Sequence, residues 1–561
     1  MLSRTVAVLV LVALAVPASG GAVPAATASV RASDTVGCTF GTILGPPVVR
    51  DASRDYSRQC EDPRIVAVYP DPIAEGDRGE FVEVDFPEPT NLAGWSITDG
   101  ETAVPLPNRT VEGQVAVSPD PAAARNLTDR RVLALGDRLE LANGGESVEL
   151  RRGNTTVDAV TYDRSKEGER WTADGWVPLG ASNHSPAVTA EVGVEVFTLP
   201  DSPDVPVRAL SGADDRILLA GYTLSSERAV RELERSAARG VDVHVLVDDS
   251  PVGGTSERQV DALNRLAESN ATVRVAGGER ERYRFHHPKY AVVDDRALVL
   301  TENWKPSGTG GGSNRGWGAL VRDAAVAEDL AAVFRGDWEA GDTVAWETHR
   351  KDVDPVDGNA SRETYPERFA PQNVSVERVR LLTAPDNAEA GIVGEIRDAE
   401  ESVLVEQVTL GGRETPPVRA TVDAARRGVR VRVLLSGAWY AREENRKRVR
   451  WLNALAEREG LDLEARVADP RSRYEKIHAK GVVIDERRVV LGSVNWNNNS
   501  LRENREVALV LVGDEVGHYY ARLFRADWRG GASRVPAGVA AALALVTLSA
   551  AAYGRREIEF E

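Results

Sequence analysis

An internal duplication constrains the fold of this chain more than any other feature of its sequence. DRILLAGYTL, residues 215–224, is matched by ESVLVEQVTL, residues 401–410. A helical pattern follows each segment and ends in a glycine before the next apolar strand, at Gly240 and at Gly428. Each copy reads as strand, helix, strand, helix and strand pair, the pattern of a helix-covered sheet. The sequence therefore predicts two similar α/β halves.

The regions around the duplication complete the domain organisation. Upstream of it, short alternating runs such as GEFVEVDF are separated by Gly, Pro, Asn and Asp turns, which predicts a β-sandwich. Between the copies, the polar, proline-bearing stretch DVDPVDGNASRETYPERFAPQN predicts a linker. The expected segments are a β-sandwich at 61–185, a first half at 190–345, a linker at 346–375 and a second half at 376–530.

Both termini carry signals of export and membrane attachment. Arg4 precedes the apolar run 6–16 and small residues follow, which predicts a signal peptide at 1–28. The uncharged stretch 535–553 is long enough to span a bilayer, and the arginines after it predict a cytoplasmic tail at 554–561. A buried core helix is the alternative for this stretch. We expect a protein of the cell membrane whose folded domains are extracellular.

The expected location bears on the two cysteines of the chain. Cys38 and Cys60 lie in a linker at 29–60. Because an exported protein meets an oxidising environment, we expect these thiols to form a disulfide. That disulfide would close a small loop ahead of the β-sandwich.

The composition is acidic and poor in lysine. The formal net charge is −17, and only seven of the 69 basic residues are lysines. This balance resembles that of proteins from extreme halophiles. At about 1 M salt the Debye length is roughly 3 Å, so an anionic partner has to be held by close contacts rather than by long-range attraction.

Two of the scarcest residue types recur at one spacing. The chain has seven lysines and seven histidines, yet Lys289 follows His287 by two residues and Lys480 follows His478 by two. Alternate residues of a strand share a face, so each imidazole lies on the same side as an ammonium group. Such a pair suits a phosphodiester, because one group attacks or donates a proton while the other neutralises nonbridging oxygens.

A hairpin would complete each patch with neutral donors. We expect a two-residue turn at 486–487 in the second half and a turn shorter by one residue in the first. The facing pairs are then Lys480 with Ser493, His478 with Asn495, Lys289 with Thr301 and His287 with Asn303. Two such patches across a pseudo-twofold axis permit a two-step displacement, in which one imidazole attacks and the other protonates the leaving oxygen.

The motif His-x-Lys-x4-Asp carries a family resemblance. It occurs as HPKYAVVD, from His287 to Asp294, and as HAKGVVID, from His478 to Asp485. With these motifs the region 190–530 resembles the phospholipase D superfamily. The resemblance implies a site between the halves, a covalent phosphohistidine intermediate, and no metal or other cofactor. It also implies a mainly structural role for both aspartates.

One departure from the family pattern concerns a carboxylate. In that family an acidic residue downstream often orients the histidine, and Glu506 in ENREVALV matches it. In the first half Gly316 aligns with Glu506, and Glu302 is taken to stand where the second half has Ser493. His287 is therefore expected to be less basic and less firmly oriented, and the choice of nucleophile stays open. The candidate catalytic residues are His287, Lys289, Asn303, His478, Lys480, Ser493, Asn495 and Glu506.

A second resemblance concerns the region before the duplication. GEFVEV, NLAGWSITDG and LELANGGESVELRRG resemble the lamin-tail domain, an immunoglobulin-like sandwich. The resemblance implies a module that binds nucleic acid, protein or the cell envelope. An inert spacer is the alternative.

The expected fold is thus an immunoglobulin-like β-sandwich, a duplicated phospholipase D-like α/β fold and one C-terminal transmembrane helix. The expected function is hydrolysis or phosphatidyl transfer on phospholipid, because the tether would hold the site beside a bilayer. A metal-independent nuclease acting on extracellular DNA is the alternative enzyme. An inactive phosphate-binding or adhesive envelope protein is the alternative of another class, and Gly316 is its best support.

Overall fold

The computed structural model describes residues 62–530, apart from 74–75, 126, 129, 183, 186–187, 278–281 and 359–364. The expected signal peptide, Cys38, Cys60, the expected membrane span and the expected tail lie outside the described residues. Within the described residues, no helix has the length and apolar character needed to cross a membrane.

Two β-sheets form the N-terminal domain. The elements of this domain are β1 (Arg64–Tyr69), β2 (Phe81–Asn91), β3 (Trp95–Thr98), β4 (Ala103–Pro105), β5 (Thr110–Ser118), α1 (Pro121–Ala124), β6 (Arg131–Ala134), β7 (Glu146–Arg152), β8 (Thr155–Tyr162), β9 (Glu169–Thr172) and β10 (Gly175–Pro178). The strand order is β10-β9-β1-β2-β5-β6 in one sheet and β4-β3-β7-β8 in the other. Alternate residues of facing strands, such as Val82 and Val84 in β2 and Val148 and Leu150 in β7, share one buried core. The domain is β-rich as expected, and its lamin-tail kinship stays a prediction.

The duplicated region alternates strands and helices. Its first half comprises β11 (Val188–Leu199), α2 (Asp204–Ser211), β12 (Arg216–Gly221), α3 (Glu227–Ala238), β13 (Asp242–Asp248), α4 (Glu257–Glu268), β14 (Thr272–Ala276), β15 (Lys289–Val293), β16 (Arg296–Leu300), β17 (Gly316–Arg322), α5 (Ala324–Trp338), β18 (Thr343–Ala345), α6 (Trp346–His349) and a 3-10 turn (Arg350–Asp352). Its second half comprises β19 (Gln372–Ala384), α7 (Ala388–Arg397), β20 (Ser402–Gln407), α8 (Pro416–Arg426), β21 (Arg430–Leu435), α9 (Arg442–Glu459), β22 (Leu463–Val467), β23 (Lys480–Ile484), β24 (Arg488–Gly492), a π-helical turn (Asn499–Glu503), β25 (Glu506–Val512) and α10 (Asp514–Trp528).

Both halves belong to one continuous sheet of fifteen strands. Its order is β18-β14-β13-β12-β15-β16-β17-β11-β19-β25-β24-β23-β20-β21-β22. At the seam β11 and β19 are antiparallel, and Val196 pairs with Gln372. Outward from the seam the two halves repeat the same order of strands. Because β19 begins at Gln372, the predicted linker at 346–375 extends four residues too far.

The repeated glycines end equivalent helices. The α3 helix buries Ala229, Val230 and Leu233 along one stripe, as an amphipathic helix on a sheet does. Gly240 and Gly428 both adopt a φ of 95°, in the left-handed region that lets a chain leave a helix without strain. These turns return the chain to the parallel strands β13 and β21.

A shared core fastens the halves together. Trp317 in β17 stacks on Tyr520 in α10, with ring centroids 4.6 Å apart. On the other side its ring lies against β23, where a Cβ added to Gly481 would come within 2.3 Å of it. A residue of the first half is thus packed between two elements of the second, which makes the halves one folding unit.

The hairpins that carry the motifs differ from the expected register by one residue. Val482 pairs with Val490 and Tyr290 with Val299, which sets Lys480 opposite Gly492 and Lys289 opposite Leu300. The predicted facing pairs are therefore wrong, although the first turn is shorter by one residue, as expected. The cause is a three-residue turn at 485–487, whose first two residues both have a φ of 53°.

The motif aspartates stabilise these turns. The Asp485 carboxylate accepts hydrogen bonds from the backbone N–H groups of Glu401 (2.7 Å) and Ser402 (2.9 Å) and pairs with Arg488 (2.7 Å). Asp294 makes the equivalent contacts in the first half. Burial raises the pKa of the Asp485 carboxyl, but the amide donors outweigh burial and lower it. Both side chains join a hairpin to the strand beside it.

We predict that Asp485→Ala costs about 2 kcal/mol of unfolding free energy, because it leaves amide donors and Arg488 unpaired. Asp485→Asn keeps an acceptor and a residue that tolerates positive φ, so it costs less. Since the carboxyl pKa is lowered in the folded state, the loss is full at neutral pH and shrinks as the pH falls below about 4. Denaturant unfolding at pH 7 and pH 3.5 measures it.

Asp423→Ala, in an exposed pair with Arg426, is the matched control and should cost less than about 0.5 kcal/mol. Equal losses for Asp485→Ala and Asp423→Ala would contradict a structural role for Asp485.

Candidate active site

Each motif segment is hydrogen-bonded to the opposite half. His287 donates its backbone N–H to the carbonyl of Arg505 (3.0 Å), just ahead of β25. His478 donates to the carbonyl of Arg315 (2.9 Å), just ahead of β17. The two histidines therefore approach the seam from opposite sides, as a site between the halves requires.

A buried arginine anchors each crossing. Arg505 pairs with Asp337 (3.0 Å) and Asp386 (2.8 Å), and its guanidinium lies 4.6 Å from the ring centre of Tyr283. Arg315 repeats the arrangement with Asp201, Asp527 and Tyr474. These ion pairs are buried, and hydrogen bonds join Arg505 to both of its aspartates and Arg315 to Asp201, so they fix the backbone that holds the histidines.

The side chains cross in the same way. Glu506 lies against His287 of the first half, and both carboxylate oxygens are 2.9 Å from Nδ1. Glu302 lies against His478 of the second half, with Oε2 3.4 Å from Nδ1. Burial alone would raise the pKa of both carboxyls, but the facing histidines and lysines outweigh it and lower them. Each imidazole thus has a buried carboxylate from the other half.

The expectation that His287 lacks a carboxylate is therefore wrong. The glycine at position 316 does not mean that the carboxylate is missing, because Glu302 occupies the space that a side chain at 316 would fill. A Cβ at Gly316 would lie 2.2 Å from the Glu302 Cγ. Nor does Glu302 correspond to Ser493. The backbone N–H of Trp317 donates to the Thr301 hydroxyl (2.9 Å), and the backbone N–H of Val507 donates to the Ser493 hydroxyl (3.0 Å). Thr301 is therefore the counterpart of Ser493. The next residue, Glu302, is then the counterpart of Val494.

Short side chains hold the two carboxylates in place. Asn314 donates to Glu302 (3.1 Å), and Asn504 donates to Glu506 at the same distance. Ser500 adds a hydroxyl donor to Glu506. None of these residues is in the predicted set, and their positions just ahead of β17 and β25 are the only sequence signal that they offer.

The motif lysines lie beside the histidines and are almost fully buried. Lys289 Nζ is 2.5 Å from the His287 carbonyl, and Lys480 Nζ is 2.8 Å from that of His478. Burial lowers the pKa of Lys480 to about 8 and that of Lys289 well below its usual value. An anion bound between them would reverse this shift, because it favours the charged form.

The surroundings of both imidazoles favour the neutral form, although Glu506 and Glu302 oppose this shift. Burial lowers the pKa of His287 to about 4 and that of His478 to about 3, and the lysines act in the same direction. With Nδ1–H of His287 donating to Glu506, its Nε2 carries the lone pair. The rings keep 13 % and 16 % of their side-chain surface exposed, so a substrate reaches them from solvent.

The remaining predicted residues have mixed positions. The side-chain oxygens of Asn303 and Asn495 are buried and have no hydrogen-bond partner among the described residues, so both amides are free to meet a ligand. Ser493 bonds the backbone of Val507 on both sides and positions the strand of Glu506 instead. The sequence did not indicate Tyr222, whose ring packs edge-to-face with the ring of His287, with ring centroids 4.6 Å apart.

The part of the chain that the structure describes contains no cluster of three or more His, Cys, Asp or Glu side chains arranged to hold a metal ion. The site described above is built from imidazole, ammonium, carboxylate and carboxamide groups.

A family model described as "Cardiolipin synthase, PLD-like domain" matches residues 207–338 and 392–528. The two matched segments fall on the two halves and include both motifs. The chain belongs to the phospholipase D superfamily. The family that the motifs predict is thereby confirmed, and its members act on phosphodiesters such as those of phospholipids and nucleic acids.

Individual relatives in the phospholipase D superfamily are distant. The human 5′-3′ exonuclease PLD3 is 22% identical over 413 residues, which cover 66% of this chain and 77% of that protein. A phosphatidylserine synthase structure from Haemophilus influenzae has a TM-score of 0.48 at 13% identity and covers 62% of this chain and 88% of its own. Nuc from Salmonella typhimurium has a TM-score of 0.24 at 20% identity and covers 29% and 99%.

The correspondence between the halves of this phospholipase D-like site gives a test. We predict that Gly316→Glu alone lowers phosphodiester hydrolysis at least 100-fold, because the new side chain meets Glu302 in a closed space. Combining it with Glu302→Val copies the pattern of Val494 and Glu506, so the double variant should recover to within about 10-fold of wild type. Steady-state kinetics on bis(p-nitrophenyl) phosphate measures both. A double variant no better than Glu302→Val alone would contradict the correspondence.

Proposed function

We propose that this chain is a phosphodiesterase that cleaves single-stranded nucleic acid through a phosphohistidine intermediate. The observation that carries the proposal is the crossed pair of histidines, each with a buried carboxylate of the other half and a buried lysine beside it. That arrangement supplies a nucleophile, a proton donor and two cations at one phosphate.

The geometry favours His287 as the nucleophile. Glu506 holds its Nδ1–H with both oxygens, which fixes the ring and leaves Nε2 with its lone pair. His478 has Lys480 Nζ 3.1 Å from Nδ1, and a cation at this distance makes an imidazolium more acidic. An acidic imidazolium is the better proton donor, so His478 takes the role of general acid.

The reaction then runs in two balanced steps. His478 takes up a proton when the phosphodiester anion binds, because a nearby negative charge raises the pKa of the imidazole. In the first step, Nε2 of His287 forms a bond to phosphorus, the bond from phosphorus to the leaving oxygen breaks, and the protonated His478 gives that oxygen its proton. In the second, His478 takes a proton from water, the hydroxide attacks phosphorus, and the bond to His287 breaks. Lys289 and Lys480 neutralise the nonbridging oxygens throughout, so their depressed pKa values rise when substrate binds.

Nucleic acid is preferred over phospholipid as the substrate class. The sequence favours phospholipid because of the membrane tether, and that segment lies outside the described residues. The relatives named as 5′-3′ exonucleases cover 66% of this chain, which supports a nucleic-acid substrate. The description of the family model as a cardiolipin synthase domain keeps phospholipid as the second candidate.

The location belongs to the same proposal. We propose an exported enzyme, anchored by the stretch at 535–553, whose two catalytic halves act outside the cell. The sandwich in front of the catalytic halves is proposed to bind nucleic acid, protein or the envelope, as the lamin-tail resemblance implies.

We predict that His287→Ala and His478→Ala each lower cleavage of single-stranded DNA at least 1,000-fold, because each removes one of the two proton-transfer or nucleophilic groups. His518→Ala is the control, since His518 is exposed on α10, and it should keep wild-type activity. Release of labelled product, with phosphatidylglycerol vesicles tested in parallel, gives the rates.

His478→Ala protein that is quenched in alkaline detergent, in which a phosphohistidine is stable, should also retain labelled phosphate. The reason is that loss of the group that activates water slows the second step more than the first. Cleavage of vesicles but not DNA would move the substrate to phospholipid. A folded wild-type chain that cleaves neither would leave a phosphate-binding protein.

A further inference from the structure

Two exposed aromatic rings lie in the loop between β21 and α9. Trp439 keeps 83% of its surface exposed and Tyr440 keeps 50%. Their rings are nearly perpendicular, with centroids 5.6 Å apart. No other aromatic side chain in the described residues is so exposed, and burial of such rings stabilises most folds, so their exposure needs a reason outside the fold.

This loop borders the catalytic segment of the second half. Lys476 Nζ lies 5.2 Å from the ring centre of Tyr440. Lys476 precedes His478 by two residues, and its carbonyl accepts a hydrogen bond from Arg315 N–H (2.9 Å), so its backbone is as fixed as that of the histidine. The rings are thus tied to the rim of the site on the side of His478.

A second lysine, Lys305, is held beside the catalytic residues of the first half. Lys305 follows Asn303 by two residues and donates its backbone N–H to the Asn303 carbonyl (2.8 Å). Burial lowers the pKa of Lys305, with Glu302 opposing and Lys476 adding to the shift, so these charges act on one another. Lys289, Lys305, Lys476 and Lys480 together are four of the seven lysines in the chain. The mechanism uses only two of them.

The feature belongs to one side of the pseudo-twofold axis. By the duplication, Asn497 stands at the position of Lys305, and Phe285 stands at that of Lys476. The side of the site beside His287, where Phe285 and Asn497 stand, therefore lacks both cations, whereas both sides have the catalytic histidine and lysine. A pair of cations on only one side of a symmetric catalytic site suits a substrate that differs on the two sides of its phosphate.

We infer that Lys305, Lys476, Tyr440 and Trp439 form a subsite for the nucleotide next to the scissile phosphate. The two ammonium groups face the neighbouring phosphate, and the exposed rings stack on its base, which is how proteins hold single strands without reading sequence. This inference rests on the proposed function. Because the subsite lies beside His478, the general acid, it holds the leaving-group side of the strand.

Charge favours a strand over a lipid surface as the occupant. Two cations beside two rings match the alternation of phosphate and base along a strand. Glu475 is exposed next to Lys476, and a carboxylate at that position disfavours insertion into a bilayer. The loop also presents no aliphatic side chain beyond Ala438 and Ala441, both of which are buried.

The test compares a substrate that reaches the subsite with one that does not. Trp439→Ala should lower kcat/KM for an oligothymidylate about 10-fold or more, the loss expected from one stacked base. The same variant should leave kcat/KM unchanged for bis(p-nitrophenyl) phosphate, which has no neighbouring phosphate or base. Val188→Ala, another exposed apolar residue, is the control and should change neither. Lys305→Ala with Lys476→Ala should make oligothymidylate cleavage less sensitive to salt.

The outcomes separate the two proposals. If wild type hydrolyses both substrates and Trp439→Ala cleaves oligothymidylate at the wild-type rate, the subsite is wrong and the proposed function stands. If wild type hydrolyses neither, the proposed function is wrong. The difference in fluorescence quenching by oligothymidylate between wild type and Trp439→Ala then still decides whether the rings contact a strand. A Trp439→Ala defect confined to phosphatidylglycerol vesicles would assign the rings to a membrane and overturn the inference.

Discussion

The catalytic site depends on an exchange of carboxylates between the two halves. His287 is held by Glu506 and His478 by Glu302, so neither half contains a complete histidine–carboxylate pair. A buried carboxylate needs a compensating partner. Here the partner lies across the seam, which means that the continuous sheet, the stacked Trp317 and the buried arginines all serve to keep the two pairs in register.

Burial gives these groups their chemical character. Burial lowers the pKa values of the lysines and histidines, and close contacts with these groups lower the pKa values of the two carboxyls. A bound phosphodiester opposes the shifts of the lysines and histidines, because its negative charge favours their protonated forms. Because the contacts are short, they survive the salt concentrations that the acidic, lysine-poor composition suggests, at which long-range steering is screened.

The sequence predicts a good part of this arrangement. Duplication and spacing were sufficient for two α/β halves and for the histidine and lysine of each motif, because those features are local and repeated. The register failed at 485–487 because the sequence does not show that two residues adopt positive φ. The role of Glu302 was missed because a contact between halves has no signature along one chain, and an isolated Gly316 reads as a loss. Trp439 and Tyr440 were missed for a similar reason: only their exposure distinguishes them from core residues.

The nitrogen chemical shifts of the histidine rings test the carboxylate exchange most directly. In ¹⁵N-labelled protein at pH 7, with signals assigned through His287→Gln and His478→Gln, wild-type His287 should be the tautomer protonated at Nδ1. Glu506→Gln should change the ring shifts of His287 and leave those of His478 unchanged, and Glu302→Gln should do the reverse. If Glu506→Gln instead changes His478 alone, each half orients its own histidine and the exchange described here is wrong.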